Sequence, residues 1–323
     1  MKSSITKDNL LISKIRKFPW SKYYLYILLA VLLIASSLIS PRFLTKSNIY
    51  DILLSNVTII ILAFGAFFVI VTAGIDLSVG SLVALSGCLL AGFVEAGISW
   101  WLSIIYVLLI MLIPGIVNGF FVAFGKMNAF IATLAMMSIA RGLAYIYVSG
   151  SPKIIFDDNI LAISDIEFLN GWLPLPLLIL LIIFLISMFV LQYTSYGRKL
   201  YAIGDDPESA YLNGIPVKKY VFSVYIINSF LAAVAGIILT SRLLMGSPLV
   251  GQSYEMDAIA SVIIGGGALY GGTGTIGGTL LGALIFGILQ NIFNLAGIGG
   301  YPQMILKGLI IIAALLFYRK KKK

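Results

Sequence analysis

Histidine is absent from the chain, and cysteine occurs once, as Cys88. Without histidine there is no imidazole to ligate a metal or to move protons near neutral pH. A lone cysteine inside an apolar run offers no disulfide framework. Charge is also scarce. Asp, Glu, Lys and Arg make up 11% of the 323 residues, against about 25% in a soluble domain. A phosphate loop of the form G-x-x-x-x-G-K-[ST] is missing, as is H-E-x-x-H, so neither that mode of ATP binding nor zinc-protease chemistry is encoded. What fills the chain is apolar: 60% of its residues are hydrophobic and its mean hydropathy is +1.04. This is the composition of a polytopic membrane protein, to which domain counts for soluble folds do not apply.

A membrane span needs roughly 20 apolar residues. On that rule the sequence predicts ten helical spans, at about 24–40, 52–73, 77–94, 100–124, 127–148, 173–193, 220–243, 258–270, 276–296 and 302–318. The eighth is short and glycine-rich, and a re-entrant or broken helix is the alternative there. The net charge of +9 matters through its placement. Residues 1–23 carry Lys2, Lys7, Lys14, Arg16, Lys17 and Lys22. This long basic segment, with many spans after it, reads as a cytoplasmic anchor rather than a cleaved signal. With both termini inside, Lys126, Arg198, Lys199, Lys218, Lys219 and the basic tail 319–323 are cytoplasmic as well. Only Arg42, Lys46, Lys153 and Arg242 fall outside, the asymmetry of the positive-inside rule. The expected layout is a basic N-terminus (1–23), a transmembrane unit (24–318) and the tail. No nucleic-acid partner is expected; the partner of the surface is membrane lipid.

The most informative apolar stretch is LAFGAFFVIVTAGIDLSVGSLVALSG, residues 62–87. Asp76 stands between two apolar runs, flanked by Gly74 and Gly80. A carboxylate near lipid is costly and usually faces a protein interior or a water-filled path, although a polar turn between spans would also explain it. Arg141 and Lys307 fall inside predicted spans and need a polar partner, a water path or a route to snorkel.

The chain also repeats itself. GIVNGFFVAFG at 115–125 aligns without gaps on GILQNIFNLAG at 287–297, and the GIDLSVGS around Asp76 parallels the MDAIASVIIGG around Asp257. The two copies cover about 52–148 and 220–318. Matched positions lie five spans apart, so the copies are inverted in the membrane, a recurring transporter architecture. Candidate path residues are Asp76, Ser78, Ser81, Asn118, Asn128, Arg141, Asp257, Asn291 and Asn294. Interhelical hydrogen bonding is the competing role for the amides and hydroxyls.

Gly272-Thr273-Gly274-Thr275-Ile276-Gly277 fits G-x-G-x-x-G, but it lies between apolar spans and no acid follows it in 258–323. A dinucleotide site needs both a preceding strand and that acid. The segment reads instead as helix packing or a broken helix, and Gly115-x-x-x-Gly119 and Gly278-x-x-x-Gly282 as small-residue packing faces. No cofactor is expected in this chain, and no enzymatic activity.

The longest internal cytoplasmic loop is 194–219, TSYGRKLYAIGDDPESAYLNGIPVKK. Pro207 predicts the start of a short helix and Gly214 its stop. A short surface helix between glycines is a docking shape, although an ordinary solvated loop would look similar. GIDLSVGS, YAIGDDPESAYLNGI, YEMDAIASVIIGG with GGTGTIGGTLLGAL, and YPQMILKGLIII occur in this order. Together they resemble the permease subunits of ATP-binding-cassette sugar importers, with the ribose-type branch most similar. The resemblance covers about residues 20–318. It implies a dimer with a second permease copy or paralogue, cytoplasmic ATP-binding subunits and an extracytoplasmic sugar-binding protein. It also implies that Gly204, Asp205, Glu208, Ala210 and Gly214 belong to the loop that couples to the ATPase. The Gly-Asp-Asp-Pro turn here departs from the Gly-Asn start of many relatives.

The expectation is therefore an all-α, ten-span permease of two inverted repeats with broken or short helices, in a bacterial cytoplasmic membrane. It would import a monosaccharide, with ribose or a similar pentose first. The alternatives are the same machine with another cargo (another sugar, a furanone signal, a nucleoside or a branched-chain amino acid) and an ion-driven secondary transporter.

Overall fold

The computed structural model describes residues 20–168 and 173–317. The basic segment 1–19 and the tail 319–323 lie outside the described residues. The chain is a polytopic, all-α membrane protein. Its helices are α1 (Trp20–Ile39), α2 (Lys46–Ile70), α3 (Val79–Glu95), α4 (Trp100–Ile110), α5 (Leu112–Ala123), α6 (Ala129–Tyr147), α7 (Asp158–Asp165), α8 (Leu175–Tyr193), α9 (Ser195–Asp205), α10 (Pro207–Leu212), α11 (Val217–Leu243), α12 (Tyr254–Ile264), α13 (Ile276–Leu295) and α14 (Gly300–Phe317). Helix occurs within each of the ten expected spans, but in the eighth it ends at Ile264 and the rest of that stretch is turn. Among the described residues, six stretches are long and apolar enough to cross a membrane, one of them running through α4 and α5, and Tyr23–Ile39 and Val79–Glu95 are shorter apolar helices. The expected eighth span is the short α12, as its glycine content suggested.

Two helices form the centre. Helix α2 is buried almost without interruption from Asn56 to Ile70, and α11 is buried on most faces from Val224 to Ser241. They pack on each other. Helix α2 also takes α12 and α13, while α11 takes α3 and α5. A helix apolar all round belongs in such a place. Lipid tails are as apolar as leucine, so these contacts gain from close approach rather than from leaving water. Glycine supplies that approach. A Cβ on Gly115 of α5 would strike the Tyr225–Ser229 turn of α11, and one on Gly287 of α13 would strike Asn56 of α2. Gly119 meets Phe222 in the same way, and Gly278 and Gly282 seat α13 on the end of α12.

The central helices are each followed by a break. After α2 the chain leaves the helix with Ala73 in the left-handed region (φ 61°) and resumes at Val79. After α11 it turns at Leu244 (φ 50°), forms a two-residue strand β4 (Met245–Gly246) and resumes at Tyr254. Strand β4 pairs antiparallel with β1 (Lys153–Ile154). The second break reaches the start of α3, where Gly80 and Gly251 touch backbone to backbone. A second two-residue ladder joins β2 (Glu167–Phe168) to β3 (Leu173–Pro174).

One end of the bundle carries these ladders, the Lys153–Glu95 ion pair and the bond from Tyr50 to Glu167. The glutamate raises the Lys153 ammonium above its ordinary pKa by accepting its hydrogen bond. The opposite end carries α9 and α10. There the amide of Gly272 donates to the Val71 carbonyl at 2.9 Å, and the Tyr201 hydroxyl donates to the Gly274 carbonyl at 3.0 Å. No strand precedes Gly272 in its loop between α12 and α13, which removes the dinucleotide reading.

Candidate functional site

Three groups of polar residues stand out in this apolar bundle. The first is a knot at the break after α2. Asp76 is 3% exposed. Its Oδ1 accepts from the Ser78 amide at 2.9 Å and the Ser78 hydroxyl at 2.6 Å. Its Oδ2 accepts from Asn228 Nδ2 of α11 at 2.9 Å, and Asn118 Nδ2 of α5 donates to Ser78 Oγ at 3.2 Å. A carboxylate just before α3 also sits at the positive end of that helix dipole. The knot thus ties the broken segment to α5 and α11. It brings together three expected residues, Asp76, Ser78 and Asn118, with Asn228, which sequence reasoning passed over although an amide inside an apolar run was visible there. Ser81 is buried nearby, and its hydroxyl has no partner among the described residues.

The second group lines a cavity of about 980 Å³. It is walled by α2 and α13, by the start of α12 and by α14, and it faces the end opposite α9 and α10. The expected residues Asp257, Asn291 and Asn294 line it. Lys307 of α14 binds Asp257 at 2.9 Å and lies over the Phe286 ring, 5.4 Å from its centroid. That pairing answers the need for a partner set by a lysine inside a span. Asn48 and Asn291 donate to each other's amide oxygens at 3.2 and 2.8 Å. Asn48, Asp51 and Gln290 on this wall were not anticipated; Asn48 and Asp51 sit before the expected start of the second span. Asp76 and Asp257 also differ in setting. Asp76 lies in the break ahead of its half-helix, whereas Asp257 lies one turn inside its own.

The remaining path candidates fall elsewhere. Arg141 of α6 donates to the carbonyls of Pro248 and Val250 at 2.5 and 2.7 Å. It holds the second break in place. Asn128 is exposed and caps α6, accepting from the Phe130 amide at 2.9 Å.

The third group is the loop 194–219. It holds α9, which was not expected, and α10, which was. Asp206 caps α10, accepting from the Glu208 amide at 2.9 Å, the Ser209 amide at 3.2 Å and the Ser209 hydroxyl at 2.6 Å. Gly214 ends the turn with φ +79°. Asp205 and Glu208 are exposed, and Ala210 is buried. Tyr211 and Leu212 project with 69% and 78% exposure. Gly204 lies against the bundle: a Cβ there would collide with the Val71 carbonyl and the Gly272 amide. The end of α9 therefore rests directly on the backbone that closes α2 and the backbone that leads into α13.

Hydrogen bonds from the Ser209 hydroxyl, the Ser209 amide and the Glu208 amide hold the Asp206 carboxyl below the usual carboxylate range. A lowered folded-state pKa means the cap contributes above the ordinary aspartate pKa and is lost as pH falls through the folded value. Asp206→Ala is therefore expected to speed amide hydrogen exchange at residues 208–212 several-fold at neutral pH. The difference from wild type should vanish in acid. Equal exchange at neutral pH would show that this cap does not hold α10.

Residues 48–315 match the family described as branched-chain amino acid transport system / permease component. The chain is 43% identical to the ribose import permease protein RbsC of Haemophilus influenzae, over 90% of this chain and 91% of that one. It is 41% identical to the ribose import permease protein RbsC of Bacillus subtilis, over 91% of both chains. Identity to the L-arabinose transport system permease protein AraH of Escherichia coli is 35%, over 94% of this chain and 92% of that one. No solved structure matches the chain.

Proposed function

The chain belongs to the family of branched-chain amino acid transport system permease components, and from that membership we propose that it is the permease subunit of an ATP-driven importer for ribose or a similar pentose. One observation carries the cargo. The relatives named for ribose import are 41–43% identical across nine-tenths of both chains, while the one named for arabinose is 35% identical. The amino acids in the family description are not the cargo of these relatives by name. The subunit is a conduit rather than an enzyme; ATP hydrolysis takes place on a separate partner.

The architecture of this reading is ten spans in two inverted repeats, about 52–148 and 220–318. The repeat is supported by the parallel roles of its matched glycines. Gly115 seats α5 on α11, and Gly287 seats α13 on α2. It is supported too by the pairing of each central helix with a break and a half-helix. Both termini are cytoplasmic, on the strength of the basic-residue asymmetry, in a bacterial cytoplasmic membrane. On that orientation α9 and α10 face the cytoplasm and the cavity faces outward, toward an extracytoplasmic sugar-binding protein. Tyr211 and Leu212 on a short capped helix suit a groove on a cytoplasmic ATP-binding subunit. A second permease copy or paralogue completes the assembly. The cargo enters past Asp257, Asn291 and Asn294, and α9 transmits the ATPase's motion through Gly204 to α2 and α13, a two-state element biased from both ends.

The test is uptake of labelled D-ribose by vesicles holding this chain, its ATP-binding subunits and its binding protein. Uptake is expected to require ATP and all three components. Uptake that persists without the ATP-binding subunits and collapses with the ion gradient would instead make the chain an ion-driven carrier.

A further inference from the structure

The chemistry of the cavity wall distinguishes classes of cargo. Its volume, about 980 Å³, is at the upper end of the roughly 300–1,000 Å³ typical of small-molecule sites. The Asn48–Asn291 pair uses one donor and one acceptor of each amide. Asn48 gives its other N–H to the Phe43 carbonyl at 2.8 Å, so it keeps only a lone pair for a ligand, whereas Asn291 keeps a second N–H and a lone pair. Among the described residues, no hydrogen bond occupies the side chains of Asp51, Ser55 or Gln290, which line the same space. The wall thus offers several donors and acceptors of mixed kind, the complement of adjacent hydroxyl groups that can each both give and accept a hydrogen bond.

The charges argue the same way. Lys307 is the one cation among the described residues that line the cavity. Asp257 binds it at 2.9 Å, and both side chains are largely buried, with 22% and 10% exposure. A carboxylate ligand would have to take Lys307 from Asp257 and leave that acid unpaired. Separating a buried pair strands a charge and is strongly unfavourable. A neutral polyol needs no such exchange.

We propose that this cavity is a resting site for an uncharged polyhydroxylated cargo, a monosaccharide. The amides of Asn291 and Gln290 and the amide oxygen of Asn48 hold its hydroxyls, and the Asp257–Lys307 pair turns away a cargo carboxylate, and with it amino acids, by keeping the one cation among the described lining residues neutralised. The site rests on the importer reading and adds that cargo pauses in the permease and is selected there.

The test uses the full chain alone in lipid nanodiscs, with ligand-observed saturation-transfer NMR on D-ribose and L-leucine as competitor. Wild type is expected to give a saturable ribose signal that leucine does not displace. Asn291→Leu and Gln290→Leu should each weaken it several-fold with unchanged thermal melting; Gln290 is exposed and makes the safer variant for folding. Asp257→Asn, which frees Lys307, should let leucine compete. The absence of a saturable signal, or a signal untouched by both leucine variants, overturns the site. If ATP-driven ribose uptake by the complete system persists in that case, the importer reading stands and the cavity is a passage only. If wild-type uptake of ribose itself fails, the importer reading falls and the site falls with it.

Discussion

Gly204→Leu is expected to abolish most ATP-driven uptake while leaving the ATP-binding subunits attached. The last turn of α9 rests on the backbone of Val71 and Gly272, where even a Cβ has no room. Backbone cannot rotate aside as a flexible side chain can. The leucine must therefore lift α9 from the bundle or push the ends of α2 and α13 apart. Overpacking of this kind costs about 1–3 kcal/mol, and about 1.4 kcal/mol is tenfold in an equilibrium. A fall in uptake of about tenfold or more is the expected reading, with ATP hydrolysis persisting and no longer tied to transport. The docking residues Tyr211 and Leu212 are untouched, so co-purification of the ATP-binding subunits should survive. Gly142→Leu is the control, because nothing lies within 4 Å of a Cβ at that position. Normal uptake by Gly204→Leu would show that the contact between α9 and the bundle does not carry the motion.

The second large effect is expected at Asp76. Asp76→Leu removes the acceptor for the Ser78 amide, the Ser78 hydroxyl and the Asn228 amide, all in a buried setting. Each donor left without a partner costs about 1–3 kcal/mol, and the leucine restores none of them. The loss should reach several kcal/mol and appear as a large drop in the melting temperature of the purified chain. Asp76→Asn keeps the shape and one carbonyl oxygen, so it should lose only part of this. Its amide nitrogen would face either Ser78 or the Asn228 amide, two donors meeting. An Asp76→Leu variant as stable as wild type would mean that the knot contributes nothing to holding the break after α2.

Much of the fold was legible because lipid imposes a simple rule. Backbone groups must be satisfied within each span, so long apolar runs can only be helices. The glycine pattern also carried through: Gly115, Gly119, Gly278 and Gly282 all seat one helix against another. The helix at Pro207–Leu212, with Gly214 after it, was readable from proline and glycine chemistry alone. Other features depend on tertiary contacts that no local pattern reports. The left-handed residue in the break after α2 is Ala73, not a glycine, while Gly74 is required by close approach, since a Cβ there would press on the Tyr225 hydroxyl. Helix α9 escaped notice because its charged residues and glycines look like loop. Arg141 is required by its position to have a partner, but only the folded chain reveals that the partners are the carbonyls of Pro248 and Val250. The cavity joins Asn48 to Asn291, 243 residues apart, a pairing that spacing cannot suggest.

Energy applied at α9 is expected to move the two helices that wall the cavity. Spin labels at Ile49 and Ala296, exposed positions beside the α2 and α13 walls, allow that distance to be measured. Cys88, the chain's one cysteine, is buried and leaves little background. In nanodiscs with the ATP-binding subunits, ATP is expected to shift the Ile49→Cys–Ala296→Cys distance distribution by several ångström, and Gly204→Leu to remove the shift. An unchanged distribution in a preparation that still imports ribose would contradict it.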